Sequence, residues 1–507
     1  MESDVIVVGA GHNALACAAY LAAAGLRVVV LEARDRVGGN TSTEELTLPG
    51  WHHDTCASAH VVIQSNPLIA DDELGLLERE GLRYLVTDPA VVFPLEGDDA
   101  LAVRPDLEAT AREFARFSPR DAAALRDMMS EWDAGLRGAH ARHQAGLDPA
   151  ADDSARRYDE LRSRSALEVV ESTFRHPVVR AAMTWLGFST IQPPTRVGTG
   201  ALPAAITAGR LRFGWATPVG GSQALPDALA SVVRRHGGLI ATGATARRYL
   251  VEDGRCVGVA TDTDTYRARL AVVAGSHLAT LPVALGGASP ILEGAADRWR
   301  GGLAVFAVHF ALRESVRYRV RGEEVTSVAA GLGTPDGVSR QVAGALGGRV
   351  DADDPWLLLV DSTAVDPARA PGAAFKFLTV APTLVDGAPW TAAASRDFAD
   401  HLVDVARRRV VGLDDANILA RVEESPTSLA ARSPANLAGS CHGGEFVMLD
   451  GRVLAGWPDV RTDVAGLYLT GSTSHPGGSV SGRPGRNAAR VVLEDLGHDV
   501  TAFYERP

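Results

Sequence analysis

Cysteine is scarce in this chain. Its four cysteines, Cys17, Cys56, Cys256 and Cys441, stand far apart with no C-x-x-C spacing, which offers neither a zinc site nor a redox motif. They read as reduced thiols of a cytoplasmic protein, and no metal is expected. Excess positive charge is missing as well. The formal net charge of -12 argues against a nucleic-acid partner, whose phosphates demand clustered Lys and Arg. No window reaches about 18 uncharged apolar residues, so a spanning helix is not expected, while peripheral contact with a membrane stays open. The acidic start Met1-Glu2-Ser3-Asp4 lacks the basic and apolar segments of a secretory signal.

What is present is ordinary globular composition, 46% hydrophobic and 22% charged, in a chain longer than one typical domain. Two domains of unequal kind are expected. Val5-Ile6-Val7-Val8 is the β-branched run of a buried parallel strand. Gly9-Ala10-Gly11-His12-Asn13-Ala14 follows at once, then a helical stretch from Leu15 to Ala24 closed by Gly25, then a second strand, Arg27 to Leu31, ending at Glu32. This is a βαβ unit carrying G-x-G-x-x-A. Gly9 permits the tight turn, Gly11 lets backbone approach a diphosphate, and Ala14 lets helix and strand pack closely. The helix start offers free N–H groups to the diphosphate, and Glu32 is placed to accept from ribose hydroxyls. A glycine turn in some other α/β protein is the plainer alternative, but it leaves the flanking strands and the acidic residue unexplained.

The other end carries a second device of this kind. Gly466 to Thr470 reads as a strand, Gly471 to Gly482 as a glycine-rich loop, and Arg483 to Glu494 as a helix. Two strand–loop–helix devices at opposite ends of one chain point to one extended ligand between them.

The segment Glu32-Ala33-Arg34-Asp35-Arg36-Val37-Gly38-Gly39-Asn40-Thr41 resembles the signature of the flavin amine oxidase and phytoene desaturase superfamily. The resemblance implies FAD, with the glycine doublet bringing backbone against its diphosphate. Asn40 departs from the Arg often found after the doublet, leaving Arg34 and Arg36 as substitutes. The loop Gly471-Ser472-Thr473-Ser474-His475-Pro476-Gly477-Gly478-Ser479-Val480, the block Pro484-Gly485-Arg486-Asn487, Gly11-His12-Asn13, Asp54 with Cys56 to His60, Trp215 to Leu225, and His442 to Glu445 together resemble the phytoene dehydrogenase-like and carotenoid ketolase-like branch. That likeness implies an α/β fold: a Rossmann-type, discontinuous FAD-binding domain (1-75, 215-285 and 440-507) with an inserted mixed α+β substrate domain (76-214 and 286-439). It places Gly471, Ser472, Pro476, Gly478, Ser479 and Val480 along the flavin, and the backbone near Ala246 at the adenine.

The stretch from Leu107 to Arg180, rich in Ala, Arg, Asp and Glu, predicts a helical insertion within the substrate domain. Ala181 to Ile191 reads as a buried helix lining a substrate cavity, and Ala246 to Val259 as a hairpin turning at Asp253-Gly254. Arg156-Arg157 and Arg407 to Arg409 read as solvated helix faces.

For chemistry, the resemblance implies an FAD-dependent desaturase, dehydrogenase or oxidase passing hydride from a small to medium, mainly apolar organic molecule to the flavin N5. Oxygen or a quinone would reoxidise the flavin. No nucleophilic triad is visible. His60, His442 and His475 are the candidate catalytic groups, with loop packing the competing role for the last two. His309, alone in an apolar strand, reads as a satisfied core group. Two other readings stand beside this one: a redox-neutral isomerase of the carotenoid isomerase type, and a non-catalytic binding protein on a GDP-dissociation-inhibitor-like fold.

Overall fold

The computed structural model describes residues 2–445, the paired strands Met448–Leu449 and Arg452–Val453, and residues 459–507. Within the expected segment 440-507, residues 446, 447, 450, 451 and 454–458 lie outside the described residues.

The β-branched first strand, Glu2–Val8, sits inside a parallel sheet. It pairs with Val28–Leu31 on one side and Thr265–Ala274 on the other. Leu239–Ala241 extends the sheet beyond Val28–Leu31, and Leu467–Leu469 pairs with Val272 to Ala274. The sheet therefore gathers strands from both ends and the middle of the chain. Val5, Ile6 and Val7 are fully buried, as covered parallel strands require. The first half of Thr265–Ala274 joins an antiparallel meander with Arg255–Ala260 and Arg248–Glu252, turning at Asp253-Gly254 as the sequence predicts.

Helix His12–Ala23 packs between Ala224–Arg235 and Arg483–Asp495. Gly485 makes the second contact close, because a Cβ there would stand 2.1 Å from the Asn13 carbonyl oxygen. The two helices that begin at the two glycine loops thus touch near their first turns.

A second sheet runs in the order Ile418–Glu424, Ala304–Leu312, Ala373–Ala381, Leu357–Asp361, Ala329–Leu332, Val91–Pro94, Ala100–Val103. It is antiparallel except where Ala330 meets Val92. Ala304–Leu312 is flanked on both sides, which explains why all nine of its residues are buried. His309 belongs to this core, paired with Glu424 at 2.9 Å.

The helical insertion is present and extends to Phe213. Its starts are written in short polar caps, such as Ser118 accepting from the Asp121 amide and Ser165 forming a reciprocal box with Glu168. Pro177–Phe188 is the buried apolar helix expected there.

A buried ion pair joins strand His52–Asp54 to the short helix Pro367–Arg369 that precedes strand Ala373–Ala381. Asp54 and Arg369 stand 3.0 Å apart with side chains 2% exposed. Asp54 also accepts from Thr43 Oγ1 and the Ser222 amide. Burial works against its charge, but Arg369 and Lys376 outweigh it and hold the carboxyl below its usual range. Removing one partner of such a pair costs about 3–5 kcal/mol, so these residues hold the two segments together.

Candidate active site: a dinucleotide cleft with an apolar floor

The two glycine loops open onto a cavity of about 650 Å³ at the ends of the parallel strands. Gly9 turns there with φ of +90°. Gly11 has ordinary extended angles, yet a Cβ on it would meet nothing within 4 Å, because it faces the cavity. Gly38 donates its N–H to the Ala10 carbonyl at 2.8 Å. A Cβ on Gly39 would come within 3.3 Å of the Gly11 Cα. The doublet therefore lies directly against the first loop; Gly39 lines the cavity and Gly38 holds the turn behind it.

Helix His12–Ala23 starts at Gly11 with no side-chain cap. The amides of His12, Asn13 and Ala14 precede its first internal bond, from Leu15 N to Gly11 O, and remain donors at a positive helix end. Glu32, buried beside them, accepts from the Ala10 amide at 2.7 Å and the Arg34 amide at 2.9 Å. Its carboxylate retains acceptor capacity for hydroxyls. Ala33, Arg34 and Ala246 line the same end; the amides of Gly243 and Ala244 bond back to Arg34 and Glu32.

From the C-terminal loop, Gly471, Ser472, Gly478, Ser479 and Val480 line the cavity. His12 ties the ends of the chain together, through Nδ1 to Thr41 Oγ1 at 2.9 Å and Nε2 to the Ser479 carbonyl at 3.2 Å. A Cβ on Gly478 would lie 2.0 Å from the His442 carbonyl oxygen, so this loop is pressed against the 441–445 segment. Pro476 and His475 instead line an adjoining cavity of about 710 Å³ beneath the helical insertion; Gly478 and Ser479 belong to both walls.

These groups fit a dinucleotide. Asn13 Oδ1, Asn40 Oδ1 and Arg34 Nη1 are buried without hydrogen-bond partners among the described residues. Around them stand a glycine cradle, free amides and one carboxylate, the donor and acceptor set a diphosphate with a ribose requires. Asn40 donates instead to Asn436 Oδ1 at 2.6 Å and the Cys441 carbonyl at 2.9 Å, so it braces the C-terminal segment. Of the two arginines expected to replace a cation here, Arg34 lines the cavity. Arg36 does not, and pairs with exposed Asp35.

The three candidate histidines separate. His442 lines the cavity. His475 faces the adjoining one, its Nε2 at 2.6 Å from the His143 carbonyl. His60 lines neither; it is fully buried between Tyr84 and Ser222 at 3.2 and 3.1 Å. Burial holds its imidazole down at about 3, with the Asp54 carboxylate offsetting this only in part. Its folded value lies below the unfolded one, so the unfolded chain takes the proton first and stability falls as pH drops from about 6.5 toward 3. His60→Asn is expected to flatten that acid-side decline in denaturant midpoint while leaving flavin content at neutral pH unchanged. An unaltered slope would place the acid sensitivity on another buried group.

The sheet residues of the site carry no signal in the sequence, whereas Ile191 falls in the stretch expected to line a substrate cavity. Val305, Leu358 and Leu378, from three strands of the second sheet, form an apolar floor in the same cavity, with Leu358 directly opposite Leu378 in register. Ile191 and Ile206 come from the helical insertion. Arg210, 4% exposed, lies 4.2 Å over the Trp215 ring, and burial lowers it to about 9. Cys56 and Cys441 stand in the wall together. Nothing in a linear pattern distinguishes a sheet residue facing a cavity from one facing a core. No helix of the described residues is long and apolar enough to cross a membrane.

Comparison with known proteins agrees with this geometry. The sequence pattern of the family described as flavin containing amine oxidoreductase matches residues 15–336. A limonene dehydrogenase component from Castellaniella defragrans is 26% identical, covering 98% of this chain and 96% of that one. The neurosporene-forming phytoene desaturase of Rhodobacter capsulatus is 23% identical over 94% and 90%. An oxidoreductase structure from Methanosarcina mazei superimposes with a TM-score of 0.60 at 16% identity, covering 97% of this chain and 100% of that one, and shares the fold. With more than half of its length matched to the family pattern, the chain belongs to the flavin containing amine oxidoreductase family and is an FAD-dependent oxidoreductase.

Proposed function

We propose that this enzyme dehydrogenates, desaturates or oxidises a small to medium, mainly apolar organic molecule. The observation that carries the reading is the apolar floor of Val305, Leu358 and Leu378 within the cavity that holds the two glycine loops. Among the described residues Trp215 is the sole Phe, Tyr or Trp lining that cavity, and Arg210 covers its ring. An aromatic cage around an amine is therefore not supported, whereas a hydrocarbon surface is. The relatives named for limonene and phytoene agree in substrate type.

In this reading, residues 1-75, 215-285 and 440-507 bind FAD, and residues 76-214 and 286-439 present the substrate. Gly9, Gly11, Gly38, Gly39 and the first-turn amides hold the diphosphate, Glu32 the ribose, and the Gly471–Val480 loop the ring. FAD, when bound, supplies the two-electron acceptor. The protein positions the reacting carbon, and its buried wall excludes water. Of the three histidines, His442 is the one placed to exchange a proton with cavity contents. The adjoining cavity, which shares Val61, Val62 and Ile206 with the first, is the route by which substrate arrives. Oxygen or a quinone takes the electrons, in a cytoplasmic setting that allows contact with a membrane surface.

The test is anaerobic mixing with terpene-like hydrocarbons while following flavin absorbance. Bleaching by substrate, reversed by oxygen or a quinone, is expected. Product formed without net bleaching would replace this reading with the isomerase, and protein that takes up no FAD would replace it with the binding protein. Leu378→Asp is expected to slow bleaching by about 100-fold at unchanged flavin content, since a buried charge disfavours an apolar ligand by several kcal/mol. Bleaching at the native rate would move the substrate away from this floor.

A further inference from the structure

Arg210 is a buried cation without a carboxylate partner. It stands on helix Leu202–Phe213, one turn after Ile206, and both residues line the first cavity. Its Nη1 reaches the carbonyls of Gly214 and Trp215 at 3.4 and 3.5 Å, the outer limit of a hydrogen bond. Its Nε is buried with no partner among the described residues. Burial disfavours its charge, and no neighbouring carboxylate offsets this. Among the described residues Glu32 is the sole carboxylate lining the cavity, and the amides of Ala10 and Arg34 engage it.

Other buried guanidinium groups are provided for. Arg369 and Arg486, each 1% exposed, stand 3.0 Å from Asp54 and 2.7 Å from Glu73. Arg483, in the adjoining cavity, has the field of Glu73. Arg210 has only the face of the Trp215 ring, 4.2 Å away, a weaker partner than a carboxylate. A second unsatisfied donor belongs to the same cluster. Trp215 Nε1 donates to the Ser58 carbonyl at 3.1 Å, and the Ser58 hydroxyl, also in the cavity wall, is buried with no partner among the described residues.

We infer that Arg210, with the Ser58 hydroxyl beside Trp215, binds the carboxylate of a substrate whose hydrocarbon part occupies the same cavity as Val305, Leu358 and Leu378. Resting on the reading of an apolar substrate, this assignment names its class: apolar carboxylic acids. A guanidinium presents parallel N–H groups to a carboxylate, so the pair sets the orientation of the bound chain as well as its affinity. The ionised acid is favoured over a neutral analogue, because the analogue leaves the buried cation unpaired.

The experiment titrates full-length, FAD-loaded protein with octanoate and with octanamide, its neutral isostere, by calorimetry. Native protein is expected to bind octanoate at least about 30-fold more tightly, as a charge-assisted pair in a buried wall should. In Arg210→Met the two should bind alike. In Ser58→Ala octanoate should weaken by about 5-fold, the loss of one hydrogen bond. The Arg210→Met apoprotein should melt no lower than native, since a buried cation without a carboxylate partner contributes little to the fold. Equal binding of the two ligands by native protein would overturn the assignment, as would an octanoate preference that survives in Arg210→Met. An Arg210→Met apoprotein melting well below native would make the arginine structural and overturn it too. A shifted flavin midpoint potential in ligand-free Arg210→Met, with the preference retained, would give the cation to the flavin instead. Octanoate preference without bleaching by any substrate would remove the oxidative reading and keep this subsite; bleaching by hydrocarbons without that preference would do the reverse.

Discussion

Gly11→Val is expected to give a folded protein that carries no flavin. The backbone at Gly11 has φ of −67° and ψ of 160°, angles any residue adopts, so valine adds no strain there. A Cβ at Gly11 has no protein atom within 4 Å, so valine clashes with nothing in the chain itself. Its branches instead project into the cavity, beside the free amides of the helix start. A group held by those amides must approach to about 3 Å, which a branched side chain prevents. We expect FAD affinity to fall by at least about 1000-fold, read as loss of the visible flavin bands after desalting. The far-ultraviolet circular dichroism spectrum should match that of native apoprotein. Full flavin loading of the variant would show that the diphosphate does not lie against Gly11.

Gly485→Val has a different expected result: the fold itself fails. The Cβ would lie 2.1 Å from the Asn13 carbonyl oxygen and 2.9 Å from the Ala16 Cβ. The obstacle is backbone, and no rotamer relieves it. Helices His12–Ala23 and Arg483–Asp495 would have to separate, and the second is buried along nearly its whole length. Overpacking at such a site costs about 4 kcal/mol or more, at the extreme of single substitutions. Thermal melts of native and variant apoprotein would read this directly, without reference to cofactor. A variant melting like the native protein would contradict the close approach of the two helices. The two glycines thus differ in what they face: Gly11 opens onto the cavity, and Gly485 admits a helix.

The local elements were legible from side-chain type. Val5 to Val8, Gly9-Ala10-Gly11 and Glu32 specify strand, turn and acceptor within about thirty residues, because β-branched runs, missing Cβ atoms and short polar caps act on the backbone nearby. The C-terminal loop and helix were readable for the same reason, and so was the hairpin at Asp253-Gly254. Helix limits moved by a few residues: the first helix begins at His12 rather than Leu15, since its unpaired first turn looks like loop in a pattern of apolar residues.

The site histidines show the limit of that reading. His60, His442 and His475 occupy comparable contexts in the sequence, yet one is buried beside Tyr84, one lines the cleft and one faces the adjoining cavity. Cys56 and Cys441 read as unrelated reduced thiols, and only the closing of the chain's two ends brings both to the wall of one cavity. The apolar floor is likewise a matter of register, since Leu358 and Leu378 meet through strand pairing between segments with no local relation.

By itself, then, the sequence determined the dinucleotide fold, the cofactor type and the two glycine loops that open onto one cavity, because turns and free helix-start amides depend on neighbouring glycines. The tertiary structure alone decided which histidine meets the cavity, which thiols share its wall and which leucines form the floor. Those contacts join residues far apart in the chain, and their geometry is set by sheet register and helix packing rather than by any feature of the residues themselves.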